Sequence, residues 1–214
     1  MNTLSSFEFN QTVSANDAIE AVEAQGAIAI HNFLPVELRE EAFKELGGER
    51  MYTDFTPEYA KVERNQNLSR YGFVYRKEWP VSNPNMQTPP QYVHAIATYI
   101  SDFVNSSDTA TWNPNEIMGH EYQTGQSIEG HVDYKRAIGF VAVATLSGIQ
   151  QFNVVLDNGE TGHVFMRPGT ITLMRGYQGE AAKDRPYHSV EKATSRRLAI
   201  SLREMTDVKR PGWE

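Results

Sequence analysis

From about residue 115 onward, short apolar stretches alternate with polar residues and turns. Asn158–Gly159 and Pro168–Gly169 are typical turn pairs between such stretches. About eight stretches follow one another closely: NEIMGHEYQ, GHVDY, GFVAVATL, QFNVVLD, GHVFMR, TITLMRG, YHSVEK and RRLAISLRE. Short strands at close spacing are typical of an antiparallel barrel or a jelly roll.

The N-terminal half has helical spacing instead. DAIEAVEAQ follows Ser14 or Asn16 as a candidate N-cap and stops at Gly26, and VELREEAFKEL follows Pro35. Between them AIAIHNF reads as a strand. PPQYVHAIATYISDFV has its apolar residues on one helical face, so we expect it to back a sheet.

These patterns predict a mainly β fold with flanking helices, in one domain over residues 1–214. Within it we expect helical support in 1–60 and the jelly-roll core in 115–204. Residues 61–87 are irregular apart from one predicted strand, YGFVYR, and we interpret them as a substrate lid.

The amino-acid composition limits the ligands with which the chain can bind a metal. The 214 residues include no cysteine, so a bound metal must use histidine, carboxylate and water. No apolar run approaches the roughly 18 residues that a membrane span needs, and the N-terminus lacks the features of a signal peptide. We therefore expect a cytoplasmic protein without a membrane partner. We also expect it to be a monomer.

The net charge of −7 is unevenly distributed. Residues 1–60 hold three basic and eleven acidic side chains, whereas 61–79 hold five basic and two acidic ones, interleaved with aromatics. Such a mixture is typical of segments that bind a phosphate chain and stack bases. A solvated loop with buried aromatics is the alternative interpretation.

A His-x-Asp pair suggests a metal site. In a strand, His131 and Asp133 would project to the same face while Val132 packs on the other. His188, in RPYHSV, is the obvious second histidine of a 2-His-1-carboxylate triad, which leaves coordination positions open and suits Fe(II) oxygenases. His-x-Asp alone also occurs by chance in many proteins.

The last predicted strand strengthens this hypothesis. In RLAISLR, Arg197, Ser201 and Arg203 alternate with leucine and isoleucine. If the apolar face packs against helices, the arginines point into the barrel, where a small dicarboxylate beside the iron would pair with them. The alternative is that this face is the solvated side of an edge strand.

Together, HEYQTGQSIEGHVD, the later histidine and the two arginines resemble the AlkB-type branch of the Fe(II)/2-oxoglutarate dioxygenases, over roughly residues 70–203. The resemblance implies a double-stranded β-helix, with Fe(II), 2-oxoglutarate and O2 as cofactors. It implies iron binding by His131, Asp133 and His188. The residues that it implies for 2-oxoglutarate are Tyr122, Arg197, Ser201 and Arg203.

The resemblance also implies a reaction. 2-Oxoglutarate would be decarboxylated to succinate and CO2 while a substrate C–H bond is hydroxylated. When that carbon is an N-alkyl group, the product would collapse and release an aldehyde.

The chain departs from the family pattern twice. His120 stands where the family usually has Asn, but imidazole can still form a hydrogen bond to 2-oxoglutarate. Tyr134, Lys135 and Arg136 stand where repair members commonly have an acidic residue that contacts the flipped base. This rim would suit a phosphate or a carboxylate, or it is merely a charged turn. The predicted substrate-binding residues are Arg70, Phe73, Tyr75, Tyr134 and Lys135.

Three functions follow as hypotheses. The first is an oxygenase of alkylated DNA, RNA or a nucleotide, acting by hydroxylation or dealkylation. The second applies the same chemistry to a small metabolite, amino acid or peptide. The third is a cupin-like barrel that binds a ligand or metal without turnover.

Overall fold

The computed structural model describes residues 7–46, 70–76, 89–179 and 185–206. The predicted lid at 61–87 lies outside the described residues except for 70–76, which form a strand. The described helices are α1 (Ala15–Gln25), α2 (Val36–Leu46) and α3 (Gln91–Asn105). The described strands are β1 (Glu8–Asn10), β2 (Ala27–His31), β3 (Arg70–Arg76), β4 (Glu116–Tyr122), β5 (Ile128–His131), β6 (Ala137–Ser147), β7 (Gln150–Val155), β8 (Thr161–Met166), β9 (Ile171–Arg175), β10 (His188–Val190) and β11 (Arg197–Met205).

Two sheets form the jelly roll. The larger sheet has the order β1-β2-β9-β6-β11-β4-β3, and the smaller one has the order β5-β10-β7-β8. All pairs are antiparallel except β1 with β2. Strands β4 to β11 correspond to the eight predicted stretches, so the predicted jelly roll is confirmed.

The helices cover the outer face of the larger sheet. Val22 of α1 and Ile96 and Ile100 of α3 share one buried cluster with Leu198 and Ile200 of β11. Burying side chains of this size stabilises the fold by about 1.5–3 kcal/mol each. The helices thus hold one face of the larger sheet and leave its other face to the barrel interior.

Local signals set the ends of α1 as predicted. Ser14 is the N-cap, because its Oγ accepts a hydrogen bond from the Asp17 N–H at 3.1 Å. Gly26 ends the helix with φ of 93°, a conformation that glycine adopts without strain. The chain then enters β2 directly, so this short segment links helical support and sheet.

Strand β11 has the predicted two faces. Leu198, Ile200 and Leu202 pack in the cluster under the helices, while Arg197 and Arg203 line the interior pocket. The strand lies between β6 and β4, so the alternative of a solvated edge strand is wrong. Because the apolar face of this central strand packs under the helices, its other face directs both arginines into the barrel.

No helix in the described part of the chain is long and apolar enough to span a membrane.

Candidate metal and cosubstrate site

Two histidines meet across a strand pair. His131 ends β5 and His188 begins β10, and the antiparallel register places them directly opposite each other. Their ring centroids are 4.3 Å apart, with the ring planes inclined by 54°. Histidines 57 positions apart in the chain are therefore brought together by main-chain pairing.

Asp133 joins them from outside the strand. Because β5 ends at His131, the prediction that the strand runs through Asp133 is wrong, and so is the predicted packing of Val132, which is 39% exposed. The chain turns here, with the Ala137 N–H donating to the Tyr134 carbonyl at 2.9 Å. The Asp133 carboxylate still reaches inward, and its Oδ2 lies 4.0 Å from His188 Nε2.

Hydrogen bonds to the main chain set the histidine tautomers. His131 Nδ1 lies 2.8 Å from the Glu129 carbonyl oxygen, and His188 Nδ1 lies 3.0 Å from that of Pro186. A carbonyl only accepts, so each Nδ1 donates, and the neutral ring keeps a lone pair on Nε2. One ligand atom from each of the three residues lies within 4.8 Å of the others. Two imidazole nitrogens and a carboxylate fit Fe(II).

Nearby charges keep Asp133, and burial keeps His188, in the form that binds a metal. Burial alone raises the pKa of Asp133, but Arg203, His188, His131 and Arg185 together outweigh it and hold the pKa below its usual value. Burial lowers the pKa of His188, against the opposing effect of Asp133. The carboxylate is therefore ionised and the His188 imidazole neutral at neutral pH.

All eight residues predicted to bind metal or 2-oxoglutarate line one pocket. The space between its walls is about 480 Å³ when the part open to solvent is included. Apolar side chains such as Phe152 and Val143 line it beside the polar ones. The predicted residues that it gathers are His120, Tyr122, His131, Asp133, His188, Arg197, Ser201 and Arg203.

Arg197 is the buried cation of this pocket, with only 1% of its surface exposed. Its guanidinium donates to Thr145 Oγ1 at 2.8 Å and to Gln150 Oε1 at 3.3 Å, and it lies 5.1 Å from the Tyr122 ring centroid. Its Nε has no hydrogen-bond partner in the described part of the chain, and burial lowers its pKa. Within the described residues no carboxylate pairs with it, so the pocket contains a site for a small anion.

Arg203 has different surroundings. It forms ion pairs with Glu116 at 3.1 Å and with Asp133 at 3.4 Å, and its Nη1 lies 2.7 Å from Met118 Sδ. The two arginines that we predicted to bind 2-oxoglutarate together therefore differ, since protein carboxylates already neutralise Arg203. Within the site, the ion pair of Arg203 with Asp133 orients the metal-binding carboxylate.

His120 is a neutral polar group of the pocket wall. Its Nε2 lies 2.8 Å from Ser201 Oγ, and its ring lies nearly parallel to that of Tyr122, with centroids 6.4 Å apart. Burial, followed by the charges of Arg203 and Arg197, lowers its pKa to about 3. His120 thus adds hydrogen-bonding capacity to the pocket without a charge.

The predicted substrate residues after Asp133 lie at the rim and do not line the pocket. Tyr134 is 46% exposed. The Lys135 ammonium lies 5.8 Å from the ring centroid of Tyr177, and the Arg185 guanidinium lies at the same distance from that ring. Any contact of Tyr134 or Lys135 with a substrate would therefore be made outside the pocket.

The other predicted substrate residues, Arg70, Phe73 and Tyr75, belong to β3. This strand pairs with β4 at the end of the larger sheet, with Phe73 opposite Gly119 and Tyr75 opposite Ile117. Since β4 also carries His120 and Tyr122, β3 lies one strand away from the pocket wall. The side chains of these three residues are outside the described part of the structure.

The structure adds site residues that the sequence patterns did not single out. Arg185 donates a hydrogen bond to the main-chain carbonyl of Asp133. Thr172 lines the pocket, and no residue that the structure describes forms a hydrogen bond to its buried hydroxyl oxygen. Thr145 and Gln150 contact Arg197. Arg185 begins the RPYHSV segment that carries His188, whereas the other three lie on strands at positions without a motif, and the contacts of all four are visible only in the folded chain.

No protein-family model and no curated protein sequence matches the chain. Solved structures do match. One is a prolyl-4-hydroxylase from Pseudomonas putida, with 16% identity and a TM-score of 0.55 over 90% of this chain and 99% of that one. Another is the viral collagen prolyl hydroxylase from Paramecium bursaria Chlorella virus 1 in complex with 2-oxoglutarate, with 12% identity and a TM-score of 0.56 over 85% and 97%.

At these identities the matches establish the fold, which is the jelly roll that the sequence predicted. Both matched proteins are prolyl hydroxylases. They share the jelly-roll scaffold that the sequence resemblance implied, and they do not support its AlkB-type branch.

Proposed function

We propose that the protein is an Fe(II)- and 2-oxoglutarate-dependent oxygenase. One observation carries the proposal: a single pocket holds a His-Asp-His triad and a buried arginine, Arg197, without a carboxylate partner among the described residues. A triad alone would also suit a barrel that only binds metal, and a buried arginine alone would suit a structural role. A metal site beside a site for a small anion is what a chelating dicarboxylate requires.

The position of each residue in the pocket indicates its role. His131, Asp133 and His188 would hold the metal, and the planar fork of Arg197 would hold the distal carboxylate of 2-oxoglutarate. When bound, iron and 2-oxoglutarate supply the activation of O2 and the oxidation of a C–H bond, with succinate and CO2 as co-products. His120 and Ser201 present polar groups beside the cosubstrate, and Phe152 with its apolar neighbours keeps water out.

For the substrate we propose a peptide or an amino acid side chain. The apolar side chain of Val132 and the ring of Tyr134 are exposed next to the metal carboxylate, and such surfaces suit an uncharged chain. The nearby cations have other contacts: Lys135 and Arg185 lie over the Tyr177 ring. The prolyl hydroxylases among the matched structures agree with this choice.

A second candidate is an N-alkylated base in a nucleic acid or nucleotide. The motif spacing that resembles the AlkB-type branch favours it, as does the basic and aromatic composition of residues 61–79. Most of that segment lies outside the described residues. The absence of an acidic residue directly after Asp133 makes it the second choice.

Succinate formation under Fe(II), 2-oxoglutarate and O2 separates these candidates. Proline-containing peptides, N-methylated oligonucleotides and a panel of metabolites are compared as substrates, with His131→Ala as the inactive control. Stimulation by peptides alone supports the proposal, while stimulation by oligonucleotides or metabolites alone contradicts the peptide substrate. If metal and 2-oxoglutarate bind but no substrate is turned over, the cupin-like binding barrel is the better account.

A further inference from the structure

Gln150 is a buried amide that joins the anion site to two loops. It is 2% exposed, and its Oε1 accepts a hydrogen bond from Arg197 Nη1 at 3.3 Å. Its Nε2 donates to the Gln126 carbonyl at 3.1 Å and to the Glu191 carbonyl at 2.5 Å. Because both carbonyls can only accept, they orient the amide with its oxygen toward the guanidinium.

Both loops border strands that carry metal ligands. Gln126 lies two residues before β5, which ends at His131, and Glu191 directly follows β10, which begins at His188. The loops are also joined to each other, since the Ala193 N–H donates to the Gln126 carbonyl at 2.8 Å. Gln150 is therefore anchored to the part of the main chain that positions the two histidines.

The side chain at position 150 contacts the Arg197 guanidinium, so its charge affects the electrostatic surroundings of that cation. The described partners of the Arg197 guanidinium include no carboxylate: they are the amide oxygen of Gln150, the hydroxyl of Thr145, the thioether of Met166 and the Tyr122 side chain. A glutamate at 150 has almost the same shape, but its carboxylate would pair with Arg197. It would also lose the two hydrogen bonds that the amide nitrogen donates to the loops.

We propose that Gln150 is a positioning residue that holds Arg197 in place while leaving its charge free for the cosubstrate carboxylate. This inference rests on the proposed function, because it assigns the anion site to 2-oxoglutarate. It predicts that a neutral amide at this position is required for cosubstrate affinity and matters far less for metal affinity.

The test compares Gln150→Glu with Gln151→Glu. Gln151 is the next residue of β7, and its amide contacts Asn153 at 2.8 Å on the opposite face of the sheet, so the control makes the same change away from Arg197. Titration calorimetry gives the Kd of Mn(II), and then that of 2-oxoglutarate on the Mn(II)-loaded protein. We expect Gln150→Glu to weaken 2-oxoglutarate binding about tenfold or more, with Mn(II) affinity within about threefold of wild type. Gln151→Glu should leave both constants unchanged.

A 2-oxoglutarate Kd in Gln150→Glu equal to that of wild type would overturn the inference. An equal loss of Mn(II) and 2-oxoglutarate affinity would also overturn it, because Gln150 would then support the whole barrel. If the wild-type protein binds no 2-oxoglutarate, the proposed function itself fails.

If Gln150→Glu does not fold, Gln150→Met provides a second test of the inference. Methionine has a similar length and leaves Arg197 without a carboxylate, so its 2-oxoglutarate affinity should lie between those of wild type and Gln150→Glu. An affinity of Gln150→Met within about twofold of wild type would show that the amide is not needed to position Arg197, and would contradict the inference.

Discussion

His131 and His188 face each other as a cross-strand pair, and each donates its Nδ1 proton to a main-chain carbonyl two residues earlier in the chain. Main-chain acceptors therefore fix both tautomers, independently of any other side chain. The Nε2 atoms are ready for a metal before one binds, which reduces the cost of ordering the ligands.

Removal of either histidine should abolish tight metal binding. We expect His131→Ala and His188→Ala each to lower Fe(II) or Mn(II) affinity by about 100-fold or more, since loss of a ligand costs at least as much as loss of its hydrogen-bond partner. His163→Ala is the matched control, because His163 is exposed and contacts Asn153 at 2.7 Å on the outside of the smaller sheet. Equilibrium metal titration measures the effect, and a wild-type Kd in both triad variants would refute the site.

The geometry of Arg197, and not only its charge, should matter for 2-oxoglutarate. Arg197→Met leaves no cation in the pocket, and we expect the Kd of 2-oxoglutarate to rise by about two orders of magnitude. Arg197→Lys keeps a charge but loses the planar fork, so its affinity should be intermediate. Arg167→Met removes an exposed arginine and should change nothing. Equal affinities for the lysine variant and wild type would mean that the fork is not used.

His120 should make the metal-free protein less stable as the pH falls. Burial holds its pKa at about 3 in the folded state, against roughly 6.5 in the unfolded chain. Below pH 6.5 the unfolded state therefore takes up a proton that the folded state does not. The free energy of unfolding should fall by about 1.4 kcal/mol per pH unit on this account, down to a pH near the folded pKa, and should not change above pH 6.5.

His120→Asn removes the titrating imidazole. The difference between wild type and this variant therefore measures the contribution of His120 to the pH dependence of stability. Between pH 6.5 and pH 5, wild type should lose about 2 kcal/mol of stability more than the variant. Denaturant unfolding in the presence of a chelator measures both proteins. Parallel pH profiles would show that His120 is not buried as a neutral group.

Gly148 should be required for the placement of Arg197. A Cβ at this position would lie 2.6 Å from the Arg196 carbonyl oxygen and 2.8 Å from Arg197 Cα, so the main chain of β11 would have to move. Gly159 also has a positive φ but has open space around it, so Gly159→Ala reports the backbone strain alone. We expect Gly148→Ala to lower the free energy of unfolding by about 1–3 kcal/mol more than Gly159→Ala. It should also weaken 2-oxoglutarate binding, and equal effects of the two substitutions would contradict the close approach.

Much of the scaffold could be predicted from local patterns. The alternation in β11 indicated which face carries the arginines, because a strand has a period of two and one face was wholly apolar. The position of Asp133 could not be derived in this way, since the strand ends at His131. Arg203 pairs with the Asp133 carboxylate, and Arg185 donates to the Asp133 main-chain carbonyl. Local sequence does not encode contacts between residues so far apart in the chain.

Gln150 shows the same limit. Its sequence context, a glutamine before QFNVVLD, resembles many solvated strand ends. Its importance comes from Arg197, 47 positions later, and from two loop carbonyls that only the folded chain brings to it. A buried polar group can be recognised once its partners are known.

The central claim is that metal and 2-oxoglutarate bind in one pocket, and one spectrum tests it directly. Fe(II) and 2-oxoglutarate are added without O2, and the visible absorption is recorded for wild type, His131→Ala and Arg197→Met. We expect a weak charge-transfer band in wild type, none in His131→Ala, and none in Arg197→Met at the 2-oxoglutarate concentration that saturates wild type. Absence of the band in wild type, or its persistence in His131→Ala, would contradict the claim.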